Sequence, residues 1–271
     1  MMPWLAVTLG LDAEAAEAFS EALLAAGAKS VALEGGRLSA ILEAHQDASA
    51  LMAVAAQSAG VAVPRFSVQR LEDRDWVCAS QEQFAPLRLG RLWIGATWHK
   101  APTSAAVIAR IDPGLAFGTG SHPSTKLILA FLERTLAGGE RVLDYGCGSG
   151  ILAIAAAKLG AVSVDAVDVD VQAVEATAMN ARLNQVEVRA FAPESLPRRS
   201  YDLVLSNILF QPLVVLAPLL AARTARGGRI ALTGILEGQA AELKAAYAEW
   251  FDATTTAARE DGWALVTGVR R

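Results

Sequence analysis

The chain has 271 residues, enough for one large domain or two unequal ones. Its 24 Lys and Arg stand against 28 Asp and Glu, and a net charge of −4 gives no sign of a nucleic-acid-binding surface. Hydrophobic residues make up 53%, yet the longest apolar runs, such as Leu213–Ala222, reach only about ten residues, where a membrane span takes about 20. The start, Met1-Met2-Pro3-Trp4, has no basic segment and meets Asp12 early, so a cytoplasmic protein without a secretory signal is expected. Two cysteines far apart, Cys78 and Cys147, make neither a disulfide framework nor a metal cluster. An α/β protein with ample core is the expectation.

The first sixty residues read as a small unit. Trp4–Leu9 is a strand candidate, and Asp12 caps an Ala/Leu/Phe-periodic helix that stops at Gly27. Val31–Glu34 and Leu38–Leu42 flank Gly35-Gly36, a pair suited to a two-residue hairpin turn. Asp47 caps a second helix closed by Gly60, and Phe66–Leu71 returns as a strand. The order β-α-β-β-α-β is that of a ferredoxin-like sandwich. From 64 to 101 the composition changes. Trp76, Trp93 and Trp98 fall here, punctuated by Pro64, Pro86 and Pro102. Flexible linkers are poor in aromatics, so this stretch reads as an ordered connector, with a strand at Arg91–Ile94.

From about residue 102 strand and helix alternate. Strands are expected at Val142–Asp144, Ser163–Val169, Val186–Ala190, Leu203–Ser206 and Arg229–Leu232. Helices are expected at Ile151–Leu159, Val171–Asn184, Leu213–Ala222 and Ala240–Ala248. Such alternation implies a parallel sheet with helices on both faces. The tail differs, because Phe251–Arg259 and Trp263–Arg270, joined by Asp261-Gly262, form a hairpin signal.

Asp144-Tyr145-Gly146-Cys147-Gly148-Ser149-Gly150 lies between a strand and a helix. Glycines such as Gly146 and Gly148 let the backbone turn tightly and approach a ligand closely. Asp168 closes the next strand, where a carboxylate can accept hydrogen bonds from both hydroxyls of a ribose. A nucleoside-containing cofactor follows. Gly148-Ser149-Gly150-Ile151-Leu152-Ala153 with Asp168 also comes close to the dinucleotide fingerprint. Asp144 ahead of the glycines and the hairpin tail favour S-adenosylmethionine over a nicotinamide cofactor, and a glycine turn used only for packing stays open.

Asp144–Gly150 resembles motif I of the class I S-adenosylmethionine-dependent methyltransferases, whose seven-stranded Rossmann-like sheet ends in an antiparallel hairpin. Asp112-Pro113-Gly114-Leu115-Ala116-Phe117-Gly118-Thr119-Gly120-Ser121-His122-Pro123-Ser124-Thr125 and Asn207-Ile208-Leu209 narrow this further. With Trp76, Phe84, Pro86, Arg91–Ile94 and Trp98, they resemble the bacterial PrmA-type methyltransferases, which modify ribosomal large-subunit protein L11. The similarity spans nearly the whole chain, strongest from 76 to 235.

The resemblance implies a substrate-recognition domain at 1–63, the connector at 64–101 and a cofactor-binding methyltransferase domain at 102–271. It implies that Thr125, Gly146, Gly148, Asp168 and Asn207 contact S-adenosyl-L-methionine, with Asn207 also catalytic, and that Phe117, Gly118 and Gly120 shape a loop over its methionine end. The activity implied is trimethylation of lysine side chains and an α-amine of L11, with no metal, no membrane and no direct nucleic-acid contact. Ser121 and Ser124 replace threonines usual in the family, and Phe210-Gln211 follow where a small residue is common. A Phe is thereby expected beside the target-amine entrance. His122 is a candidate general base, although the family assigns its loop to cofactor closure. Asp170 reads as a helix cap, Cys147 as a packing residue and Arg198-Arg199 as a solvated loop. The alternative is an amine methyltransferase acting on another protein or on a nucleic-acid base. Base-modifying enzymes carry an aromatic after the Asn that stacks on the base, which Ile208-Leu209 lacks. A module that binds the cofactor without catalysis is the third reading.

Overall fold

In the computed structural model, which describes residues 4–10, 19–20, 22–34, 37–71, 85–112 and 122–271, the chain divides into two units, Met1–Glu82 and Gln83–Arg271. The first holds strands β1 (Trp4–Gly10), β2 (Ser30–Glu34), β3 (Arg37–Glu43) and β4 (Phe66–Leu71) and helix α1 (Ala48–Ala59). The sheet order is β2-β3-β1-β4 with every neighbour antiparallel, which is the expected ferredoxin-like arrangement. Residues 22–25 are helical and end at Gly27, whose φ is 108°. Asp12 and Gly35-Gly36 lie outside the described residues. Helix α1 starts where the Asp47 side chain accepts from Ser49 N and Ala50 N at 2.9 and 3.2 Å. It ends at Gly60 in the left-handed conformation. Val7, Leu9, Leu38, Leu42, Leu51 and Met52 form this unit's core.

The second unit begins with a three-stranded sheet of β5 (Leu87–Leu89), β6 (Leu92–Gly95) and β7 (Val107–Arg110). Strand β6, four buried residues, falls where the aromatic connector predicts one. Residues 64–101 therefore contribute β4 to the first sheet and β5 and β6 to the second unit. Trp76 lies outside the described residues.

The main sheet contains β8 (Arg141–Tyr145), β9 (Ser163–Val167), β10 (Val188–Phe191), β11 (Tyr201–Asn207), β12 (Thr224–Leu236), β13 (Phe251–Glu260) and β14 (Trp263–Arg270). Its order is β10-β9-β8-β11-β12-β14-β13, parallel except that β14 runs antiparallel to both neighbours. Asp261 and Gly262, with φ of 48° and 80°, make the tight turn of the tail hairpin. Both faces are covered. On β8, Val142 joins one core cluster and Leu143 the other, and Leu203, Val204 and Leu205 of β11 alternate in the same way, as a period of two requires.

Helices α2 (Pro123–Thr135) and α3 (Ile151–Lys158) serve one cluster, while α5 (Phe210–Val215), α6 (Ala217–Arg223) and α7 (Ala240–Tyr247) serve the other. Helix α4 (Val171–Leu183) follows β9. The single helix expected over Leu213–Ala222 is two, α5 and α6, because Pro218 has no N–H to donate and its ring crowds the carbonyl four residues earlier.

Candidate functional site

Strand β8 runs into a turn built from three glycines with positive φ: Gly146 at 86°, Gly148 at 52° and Gly150 at 79°. Two of them are dictated by space as well as by φ. A Cβ on Gly146 would collide with Cγ2 of Ile208, and one on Gly150 would lie 2.8 Å from Thr177 Oγ1. The turn is tied to the end of β9, where Gly146 N and Cys147 N both donate to Val167 O at 2.7 and 3.0 Å. Asp168, one residue on, accepts from Gly148 N at 2.9 Å and from Asp170 N at 3.0 Å. Its carboxylate is thus oriented by two backbone donors and keeps lone pairs for a ligand.

At the end of β11, Asn207 donates from Nδ2 to Thr125 Oγ1 at 3.1 Å. Thr125 sits in the first turn of α2 and is buried. These elements enclose a cleft of about 470 Å³, within the roughly 300–1,000 Å³ usual for small-ligand sites. Thr125, Gly146, Gly148, Asp168 and Asn207 all line it. Phe117, Gly118, Gly120 and Ser121 lie outside the described residues.

Sequence reasoning overlooked much of the apolar wall: Tyr145, Val169, Leu209, Pro212 and Leu216. Val169 is 84% exposed, and an apolar β-branched residue directly after the candidate acid Asp168 is the sequence signal that could have found it. The expectation about Phe210 is corrected. Its ring is 8% exposed and joins the core of Leu213, Leu220 and Tyr247, while Leu209, 71% exposed, stands at the cleft. The start of α5 explains this: with Leu209 as N-cap, the helical twist carries Phe210 inward.

Other residues take structural roles. His122 caps α2, its Nδ1 accepting from Ser124 N at 3.3 Å, and its ring meets Trp263 edge-on at 4.5 Å. Asp170 caps α4 through Gln172 N at 2.9 Å. Burial, reinforced by Asp144, pushes the Cys147 thiol well above its ordinary range, so it stays protonated and unreactive. Arg199 is not a solvated loop residue. With Arg189 it brackets the fully buried Asp165, each donating from Nε at 2.9 Å, and Tyr201 Oη adds a bond of 2.6 Å. A buried carboxylate needs such partners, and the spacing of Arg198-Arg199 could not reveal this one, because its partner lies 34 residues away. Among the described residues no group of His, Cys, Asp and Glu could hold a metal, and no helix is long and apolar enough to cross a membrane.

A nucleoside with a charged sulfonium arm fits what is present. Gly146 and Gly148 bring bare backbone to the cleft, a carboxylate waits beside the turn, and the remaining wall is largely apolar. Sheet order, reversed hairpin and cleft together define a class I S-adenosylmethionine-dependent methyltransferase.

Comparison with known proteins narrows the class. Residues 3–271 match the family described as ribosomal protein L11 methyltransferase (PrmA). The ribosomal protein L11 methyltransferase of Chromobacterium violaceum is 45% identical across 100% of this chain and 99% of its own length. That of Thiobacillus denitrificans is 45% identical over 100% of both. The crystal structure of a ribosomal protein L11 methylase from Lactobacillus delbrueckii subsp. bulgaricus superposes with a TM-score of 0.63 at 33% identity, covering 69% of this chain and 98% of that one. A 16S rRNA guanine methyltransferase from T. thermophilus, solved with AdoMet and guanosine, shares the fold with a TM-score of 0.51 at 20% identity, over 89% of this chain and 57% of that one. The chain belongs to the ribosomal protein L11 methyltransferase (PrmA) family.

Proposed function

We propose that this protein methylates amines of ribosomal protein L11, both lysine side chains and the α-amine, in the cytoplasm. The carrying observation is that Asp168, the glycine turn and Asn207, from three different strand ends, open onto one cleft at the sheet's C-terminal edge. S-adenosylmethionine, when bound, supplies a methyl group on a sulfonium that departs as a neutral thioether. Asp168 is suited to accept from ribose hydroxyls, and Gly146 and Gly148 allow close backbone approach. A lysine amine has a pKa of about 10.4 and is almost wholly protonated at pH 7, with no lone pair to offer. The apolar cleft wall, with Leu209 at its rim, favours the neutral amine by desolvation. Asn207 spends its Nδ2 on Thr125 and so presents its carbonyl oxygen as an acceptor that can orient an amine. Positioning of this kind supplies up to roughly 7–11 kcal/mol in well-oriented systems.

In our reading the N-terminal unit recognises the substrate protein. It carries eleven Asp and Glu against five Lys and Arg over residues 1–82, a net of −6, which suits a basic partner. The deciding experiment gives the protein labelled S-adenosylmethionine and ribosomal particles from cells lacking the enzyme. Mass spectrometry should show L11 gaining mass in steps of one methyl group. Label in ribosomal RNA and none in L11 would overturn the reading in favour of base methylation.

A further inference from the structure

One face of α4 carries a polar stripe into an otherwise apolar core. Thr177, Asn180 and the C-cap residue Asn184, spaced i, i+3, i+7, are all buried. Thr177 Oγ1 lies 3.1 Å from Gly148 O and 3.2 Å from Cys147 Sγ. Asn180 donates from Nδ2 to Ser149 O at 2.9 Å, and its Oδ1 accepts from Asp112 N at 3.2 Å. A carbonyl on one side and an N–H on the other fix which way this amide faces. Asn184 does the same for Arg110, accepting from its N–H at 2.7 Å and donating to its carbonyl. None of the three lines the cleft.

The glycine turn explains why polar groups are needed here. Its N–H side is held by Val167 O and Asp168. Its carbonyls at Gly148 and Ser149 face α4, where Thr177 and Asn180 donate to them. Three glycines with positive φ give this segment more freedom to lose than any other sequence would. We propose that Thr177 and Asn180 are positioning residues that hold the glycine turn in its ligand-ready shape before the cofactor arrives. The inference rests on the reading that the cleft takes S-adenosylmethionine. A turn set in advance spends no binding free energy on ordering, so the effect belongs to affinity and not to the transfer step.

The test uses the full chain and S-adenosylhomocysteine as probe. Thr177→Val keeps the shape of the side chain and removes only the hydroxyl, Thr177→Ser restores it, and Asn180→Leu removes both amide contacts. Calorimetry should show Thr177→Val and Asn180→Leu weakened about tenfold or more, a loss of about 1.4 kcal/mol, and Thr177→Ser close to wild type. Methyl transfer to L11 at saturating cofactor should be unchanged in Thr177→Val, putting the effect in KM and not kcat. Equal affinities for Thr177→Val, Thr177→Ser and wild type would overturn the inference, as would a kcat loss with affinity intact. If Asn180→Leu fails to fold, the Thr177 pair decides alone. Wild-type protein that binds no S-adenosylhomocysteine would overturn the cofactor reading itself, and this inference with it.

Discussion

Asp144 gives the sharpest stability prediction. It lies in β8 directly beneath the glycine turn and is fully buried. One carboxyl oxygen accepts from Ala153 N at 3.1 Å, and the other has no hydrogen-bond partner among the described residues. Burial raises its pKa, the Ala153 bond opposes, and the charge of Asp168 adds to the rise, which carries the carboxyl from 3.8 to about 7. The folded state therefore keeps the proton over a range where the unfolded chain has lost it. With more protons on the native side, stability falls as pH rises from about 4 to about 7 and is level above that. At about 1.4 kcal/mol per pH unit, the loss totals about 4 kcal/mol. An asparagine amide in this place carries no charge at any of these pH values, so Asp144→Asn should gain about 4 kcal/mol on wild type between pH 4 and pH 8. A fixed offset accompanies this gain, because the new amide N–H₂ needs a partner, at a cost of about 1–3 kcal/mol. Urea melts of both proteins without cofactor, at pH 4.5, 6 and 8, isolate the pH-dependent part. A stability difference that does not change with pH would refute the burial argument, since it would mean Asp144 ionises equally in both states.

Further outcomes follow from the site and the residues around it. Asp168→Ala should weaken S-adenosylmethionine at least tenfold by calorimetry, because charged hydrogen bonds contribute roughly 1.5–3 kcal/mol each and the Gly148 anchor goes with them. Gly146→Ala should bind no measurable cofactor, since its Cβ meets Ile208 at a φ of 86°; tight binding by this variant would show the turn to be looser than drawn. Leu209→Ala should raise KM for L11 and leave cofactor affinity alone, whereas Phe210→Ala should cost about 3–5 kcal/mol of stability by emptying a core position, and the two are separated by kinetics and thermal melts. Removing residues 1–82 should abolish L11 methylation while S-adenosylhomocysteine binding persists; methylation that survives would move substrate recognition into the second unit.

The parts of the fold legible in sequence are those set by local chemistry. Asp47 and Gly60 bracket α1, Asp261-Gly262 turns the tail hairpin, and Asp170 starts α4, each through backbone demands that only a few residue types meet. Elements fixed by distant packing are harder to see. Strand β12 runs from Thr224 to Leu236, though only Arg229–Leu232 reads as a strand, because Gly227-Gly228 looks like a break until Tyr201 and β14 pair around it. Strand β7 escapes notice for the same reason, and α2 because the helix start at His122-Pro123 is absorbed into a motif. The cleft's polar residues stand out by type and spacing. Its apolar wall does not, because an exposed Leu209 and a buried Phe210 are neighbours that only the start of α5 separates.

The overall charge of −4 hides a division that carries a last prediction. Residues 83–271 hold nineteen Lys and Arg against seventeen Asp and Glu, a net of +2, beside −6 in residues 1–82. A protein that lives on ribosomal RNA must itself be rich in Lys and Arg, since phosphate neutralisation drives such binding. On the proposed division of labour, the first unit meets its substrate through opposite charge, which chiefly raises the association rate and is screened by salt over about 10 Å at 0.1 M. The cleft interacts with its ligand inside a largely apolar enclosure, where screening is weak. Raising salt from about 50 to about 300 mM should therefore lower kcat/KM for L11 severalfold while the Kd of S-adenosylhomocysteine barely moves. Parallel changes in both would show that the acidic unit is not what captures the substrate.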